Sequence, residues 1–128
     1  MNGKIVDTNV IIRVLKGVSE LFPLFDEMEN LYVSWISLGE LMYGAELSSK
    51  KDFNKAHYKA FCDQMQVIDS DKEISDCYAI VKSQLKRDGH PIPENDIWIA
   101  ATAMARNLTL VTADKHFEFI KGISVEIA

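Results

Sequence analysis

Short β-branched runs alternate along this chain with longer stretches of helical period, and this alternation narrows the fold more than composition does. Lys4-Ile5-Val6, Leu31-Tyr32-Val33, Gln66-Val67-Ile68, Thr109 to Thr112 and Ser124 to Ile127 read as strands. Helices are expected from about Asn9 to Lys16, Ser19 to Glu29, Ser37 to Leu47, Asp52 to Asp63 and Asp71 to Arg87. Asn95 opens another, with Ile97, Ala101, Met104 and Leu108 on one stripe, and Lys115 to Ile120 forms a short last helix. The clearest helix carries Ile74, Tyr78, Val81 and Leu85 on one face, and Gly89 is placed to end it. Strands separated by helices argue for an α/β fold, a central and mainly parallel sheet flanked by helices, with right-handed crossovers. At 128 residues, residues 1–128 are expected to form a single domain.

The formal charge of −5 argues against a simple basic nucleic-acid binder. It does not exclude nucleic acid, because acids gathered around bound cations leave the surface less negative than the formula. Lys50, Lys51, Lys55 and Lys59 form one basic stretch and Lys82, Lys86 and Arg87 a second; each reads equally well as a solvated helix face. No apolar run approaches the ~20 residues of a membrane helix. The amino-terminal segment does not read as a signal peptide, so a cytoplasmic protein is expected. Cys62 and Cys77 are expected to be buried, reduced thiols.

In parallel sheets ligands bind beyond the carboxyl ends of the strands. Asp7, in VDTNVI, ends the first strand, and Asp114 lies just past TLVT. Glu40 falls in the first turn of the helix after LYVSWIS. Asp96 opens the helix before TLVT, and the path of the preceding HPIPE loop decides which edge it reaches. Each acid also has a local explanation. SLGE is a capping-box pattern from Ser37 to Glu40, and Asp96 complements a helix macrodipole. Asp114 suits an N-cap and Asp7 a turn. DSDKE contains a second capping-box pattern, Ser70 with Glu73, and Asp26, Glu27 and Glu29 read as a solvated face. Position nominates candidates without choosing among them.

The motifs VDTNVI, SWISLGELMYGAE, PIPENDIWIAATAMARNLTLVTADKHF and GISVEI occur in that order almost end to end. In these the chain resembles PIN-domain nucleases, specifically the VapC toxins of bacterial and archaeal toxin–antitoxin pairs. Asp7, Glu40, Asp96 and Asp114 fall on that family's four acidic positions, and Thr112 on its usual Ser or Thr. Asn9 and Asn95 occupy positions that are often polar and are expected to support the acids. His90 has no counterpart in the pattern and reads as a surface histidine.

The resemblance implies divalent-metal-dependent hydrolysis of RNA, a homodimer, and a cognate antitoxin protein that blocks the site. Its targets would be transfer or ribosomal RNA. Crowded carboxylates repel, and a hard cation removes the conflict. Oxygen ligands favour Mg2+, with Mn2+ as substitute. Asp7 and Asp96 are expected as primary ligands, with Glu40 and Asp114 binding directly or through water. A metal-activated water would attack phosphorus in line. Arg13, Lys50 and Lys51 are candidate phosphate contacts. Trp35 and Trp98 suit core or dimer contacts better than base stacking. A magnesium-dependent phosphatase or phosphotransferase would need a second Asp where Asn9 stands, and a receiver-type signalling domain an acidic pair near the first strand. No G-x-x-x-x-G-K-[ST] motif supports a P-loop enzyme. An inactive PIN-like binding module is the other alternative.

Overall fold

The computed structural model describes residues 3–128. The elements are β1 (Lys4–Val6), α1 (Thr8–Leu15), β2 (Leu31–Ser34), α2 (Trp35–Glu46), α3 (Lys51–Cys62), β3 (Gln66–Ile68), α4 (Lys72–Asp88), α5 (Glu94–Arg106), β4 (Thr109–Thr112) and β5 (Ser124–Ile127). The strands make one sheet in the order β3-β2-β1-β4-β5, and every pairing is parallel. Lys4, Ile5 and Val6 pair with Thr109, Leu110 and Val111.

Alternation along β1 and β4 divides the interior into two cores. Ile5 and Leu110 face one, packed by Val81, Leu85, Ile99 and Phe117. Val6 and Val111 face the other, with Val10, Ile11, Leu41 and Cys62. Helices thus cover both faces, as a buried parallel sheet requires.

From β1 the chain builds outward through β2 to β3, then returns to place β4 on the other side of β1. That reversal opens a crevice above the carboxyl ends of β1 and β4. α4 and α5 form the return. They run antiparallel, since Arg106 near the end of α5 pairs with Asp71 and Glu73 at the start of α4. Lys82 meets Glu94 at 3.0 Å farther along.

Several local expectations are corrected. Residues 19–29 form two 3-10 segments, Ser19–Phe25 and Met28–Asn30, because Pro23 has no N–H to donate to an α-helical ladder. α2 begins earlier than expected: Ser34 accepts from the Ile36 N–H at 3.1 Å and is its cap, so SLGE is not a capping box. Asp71, not Ser70, caps α4, accepting from the Ile74 N–H at 3.0 Å. α5 stops at Arg106, where Asn107 takes a left-handed φ of 53°, so Leu108 lies beyond the helix. Gly89 closes α4 with a φ of 72°. Cys62 is buried, but Cys77 is partly exposed on α4.

Candidate active site at the carboxyl edge of the sheet

Asp7 leaves β1 where the sheet ends. Its N–H donates to the Val111 carbonyl at 2.9 Å, tying it to β4. One carboxylate oxygen accepts from the Thr8 N–H at 2.8 Å and caps α1. The other accepts from the Thr112 hydroxyl at 2.7 Å. The residue is only 4% exposed. Burial pushes its pKa up to about 6, and the charges of Asp96 and Glu40 push the same way, against the hydrogen bonds from Thr112 and Thr8.

Glu40 sits in the second turn of α2, not the first, because the helix starts at Trp35. It accepts from the Thr8 hydroxyl at 2.6 Å, so consecutive residues Asp7 and Thr8 hold two of the acids. Asp114 begins the 3-10 turn Lys115–Phe119 as its cap, accepting from the His116 N–H at 3.3 Å. The Asp114 N–H in turn donates to the Thr112 hydroxyl oxygen at 3.0 Å. Thr112 is therefore the joint between the first and last acids.

Asp96 lies in the first turn of α5. Because α4 and α5 fold back on each other, the first turn of α5 returns to the carboxyl edge. There Asp96 Oδ2 lies 2.9 Å from His116 Nε2. His116 Nδ1 lies 3.0 Å from Asp114 Oδ1. Burial raises the pKa of Asp96; His116 lowers it, while Glu40 and Asp114 add to the rise. The four acids thus share one electrostatic neighbourhood, and desolvation dominates at both Asp7 and Asp96.

The supporting residues divide. Asn9 accepts from the Ala113 N–H at 3.2 Å, bracing the turn that carries Asp114. Asn95 is exposed and lines a recess of about 590 Å³ with Thr8, Ile12, Trp35, Glu40 and Tyr43. Trp35 is thus a wall of that recess and not part of the core, whereas Trp98 stacks on Tyr78 at 3.9 Å. Another recess, about 400 Å³ between α4 and the loop before α5, is lined by none of the four acids. Arg13 is exposed in the last turn of α1, and Lys51 pairs with Glu46 at 3.6 Å, the pattern of a solvated face. Lys50 is exposed at the start of α3. His90 is exposed and stacks on Phe119 at 4.0 Å.

The donor set fits a divalent cation. Among the described residues, one ligand atom each from Asp96, Asp114 and His116 lie within 4.8 Å of one another. Asp7 and Glu40 stand outside that tight triad but adjoin it electrostatically. Carboxylates whose charge is disfavoured by burial and by one another gain most from a cation between them.

The family model for the PIN domain matches residues 4–122. The chain belongs to the PIN-domain family. Among PIN proteins it is 33% identical over 126 residues to the tRNA(fMet)-specific endonuclease VapC of Salmonella typhimurium, covering 94% of each chain. It is 29% identical over 126 residues to ribonuclease VapC2 of Rickettsia felis, again with 94% of each covered. The DNA-bound VapBC complex of Salmonella typhimurium contains a chain that superposes with a TM-score of 0.92 at 31% identity, over 99% of this chain and 98% of that one. Rickettsia felis VapBC2 on a promoter DNA fragment gives 0.90 at 27% identity, over 97% of both. The parallel α/β sheet expected from the sequence is thus the PIN fold. Two contributors to this PIN site escaped sequence reasoning. Thr8 was hidden inside the first motif, and its only signal is a hydroxyl next to an acid at a strand end. His116 stands two residues after Asp114, a spacing that one turn of 3-10 helix folds into contact.

Proposed function

We propose that this PIN domain is the toxin of a type II toxin–antitoxin pair, an endoribonuclease that hydrolyses phosphodiester bonds with a divalent cation. The observation that carries the reading is the convergence of Asp7, Glu40, Asp96 and Asp114 on the crevice between β1 and β4, with Thr112 bonded to both Asp7 and the Asp114 backbone. Membership of the VapC ribonucleases supplies the reaction class, and the relatives named for initiator tRNA point to structured RNA as substrate.

Mg2+ is the proposed resident ion and Mn2+ its substitute; when bound it supplies the positive charge that makes a water nucleophilic near neutral pH and offsets charge on the reacting phosphate. Asp96 and Asp7 are its proposed principal holders, with Glu40 and Asp114 completing the set. Thr8 aims Glu40, Thr112 aims Asp7, and Asn9 fixes the turn that presents Asp114. Burial of Asp7 keeps bulk water away from the floor of the site, so charge is matched by fixed groups. Single-stranded RNA with splayed bases would enter along the recess between Trp35, Tyr43 and Asn95.

An antitoxin protein is the proposed partner, as in the VapBC complexes. A homodimer is proposed through apolar side chains near Ile36 to Leu47, where Leu47, just past the end of α2, is 71% exposed. Among the described residues no helix is long and apolar enough to cross a membrane, and the cytoplasm is the proposed compartment. Residues 1–128 are proposed to act as a single domain.

The test is purified protein with total RNA, with chelator, Mg2+ or Mn2+, beside Asp96→Asn. Metal-dependent fragments are expected from the wild type. The variant should lose about a hundredfold or more, the scale for removing a group that stabilises transition-state charge. Cleavage at equal rates in chelator, or by Asp96→Asn, would overturn the reading.

A further inference from the structure

His116 belongs to none of the family's four acidic positions, yet it occupies the middle of the triad. Its Nε2 is buried and, among the described residues, has no hydrogen-bond partner. The Asp96 carboxylate oxygen lies 2.9 Å away but too oblique to accept a hydrogen from the ring. The other ring nitrogen, Nδ1, lies 3.0 Å from Asp114 Oδ1. The ring is held by its own backbone N–H on Asp114 and by tilted contact with Phe117 at 4.8 Å between centroids.

Resting on the nuclease reading, we propose that His116 Nε2 is a direct nitrogen ligand of the divalent ion. The site is then a mixed oxygen–nitrogen set in which Mn2+, the substitute ion proposed above, binds more tightly than Mg2+ although both are accepted. With its hydrogen on Nδ1, facing the Asp114 carboxylate, the imidazole leaves a lone pair on Nε2. A small turn of the ring would bring the Nδ1 hydrogen onto Asp114 Oδ1, 3.0 Å away, and complete the carboxylate–histidine–metal arrangement, in which the carboxylate fixes tautomer and ring orientation. Nε2 and Asp96 Oδ2 are then two lone-pair atoms side by side, and a cation between them takes the place of the ring proton that otherwise lowers the pKa of Asp96. Their separation of 2.9 Å would let one ion be held by both atoms. Asp114 Oδ1 then orients His116 and leaves Oδ2 for the ion. Magnesium takes oxygen ligands and keeps its waters, whereas imidazole suits later first-row metals, so this nitrogen shifts preference along the Irving–Williams order.

The experiment needs neither RNA nor turnover. Mn2+ is added to the full chain, its affinity measured by titration, and pulsed electron paramagnetic resonance used to detect nitrogen-14 coupling to the bound ion. Nitrogen modulation is expected in the wild type and in His57→Gln and His90→Gln, two exposed histidines outside the triad. It should vanish in His116→Gln. The Mn2+ affinity of that variant should fall about tenfold or more, at least the effect of losing a group that merely orients a ligand. Its Mg2+ affinity should change little. Mn2+ bound to the wild type without nitrogen modulation, or modulation that survives in His116→Gln, overturns the assignment and leaves the nuclease reading standing. Failure of the wild type to bind Mn2+ at all overturns both.

Discussion

A carboxylate as buried as Asp7, pressed by Asp96 and Glu40, holds its proton into mildly acid pH. Its folded pKa of about 6 lies above the ordinary 3.8. Between those values the folded chain binds a proton that the unfolded chain has released, so raising the pH through this window lowers stability. Asp71 and Asp88, held low by their hydrogen-bond partners, act in the opposite sense, so the informative quantity is a difference between variants. In chelator at pH 7, Asp7→Asn should be more stable than wild type by about 1–2 kcal/mol, with the gain shrinking as pH falls toward 4. Thermal melts at several pH values measure it, and the same variant should be inactive on RNA. A wild type more stable than Asp7→Asn at pH 7 would contradict the burial argument. Thr112→Val makes the complementary case. Thr112 is fully buried and serves Asp7 and the Asp114 N–H at once. Its loss should cost about 1–3 kcal/mol and raise the pKa of Asp7 further, read by denaturation and by the pH profile of cleavage.

At the scale of elements, the start of α2 separates pattern from geometry. Ser34 is the cap, whereas the Ser37 hydroxyl is buried with no partner among the described residues. Ser34→Ala should therefore cost about 1 kcal/mol in urea denaturation, while Ser37→Ala should be near neutral or slightly stabilising. The SLGE pattern predicts the reverse order. Strand positions were legible because short runs rich in β-branched and other apolar residues stand between the helical stretches, and all five strands fall where those runs stand. Helix starts were less legible, since Ser34 and Ser37, or Ser70 and Asp71, are equally good caps in isolation and tertiary packing chooses between them. The first and last acids could be placed from the rule about strand ends. Asp96 could not, because its position depends on two helices folding back on one another. The role of His116 depends on a single 3-10 turn, too short to leave a periodic signature.

For the whole molecule, a cation that binds only the folded site adds to stability by mass action. At a free concentration of about a hundred times its dissociation constant, Mn2+ should contribute about 2.7 kcal/mol, visible as a rise in the melting temperature. Asp96→Asn should lose most of that rise, and an unchanged rise would place the ion elsewhere. The order of the sheet has a consequence for biosynthesis. Of the five strands described, the first to leave the ribosome is the central one, and its neighbour β4 follows only after β2 and β3. A half-made chain can pair β1 with β2, but its cutting edge stays dismantled until Asp114 and His116 have been translated. On the function proposed above, a chain built this way cannot cut RNA before β4 and the turn after it are in place, so synthesis itself delays the activity.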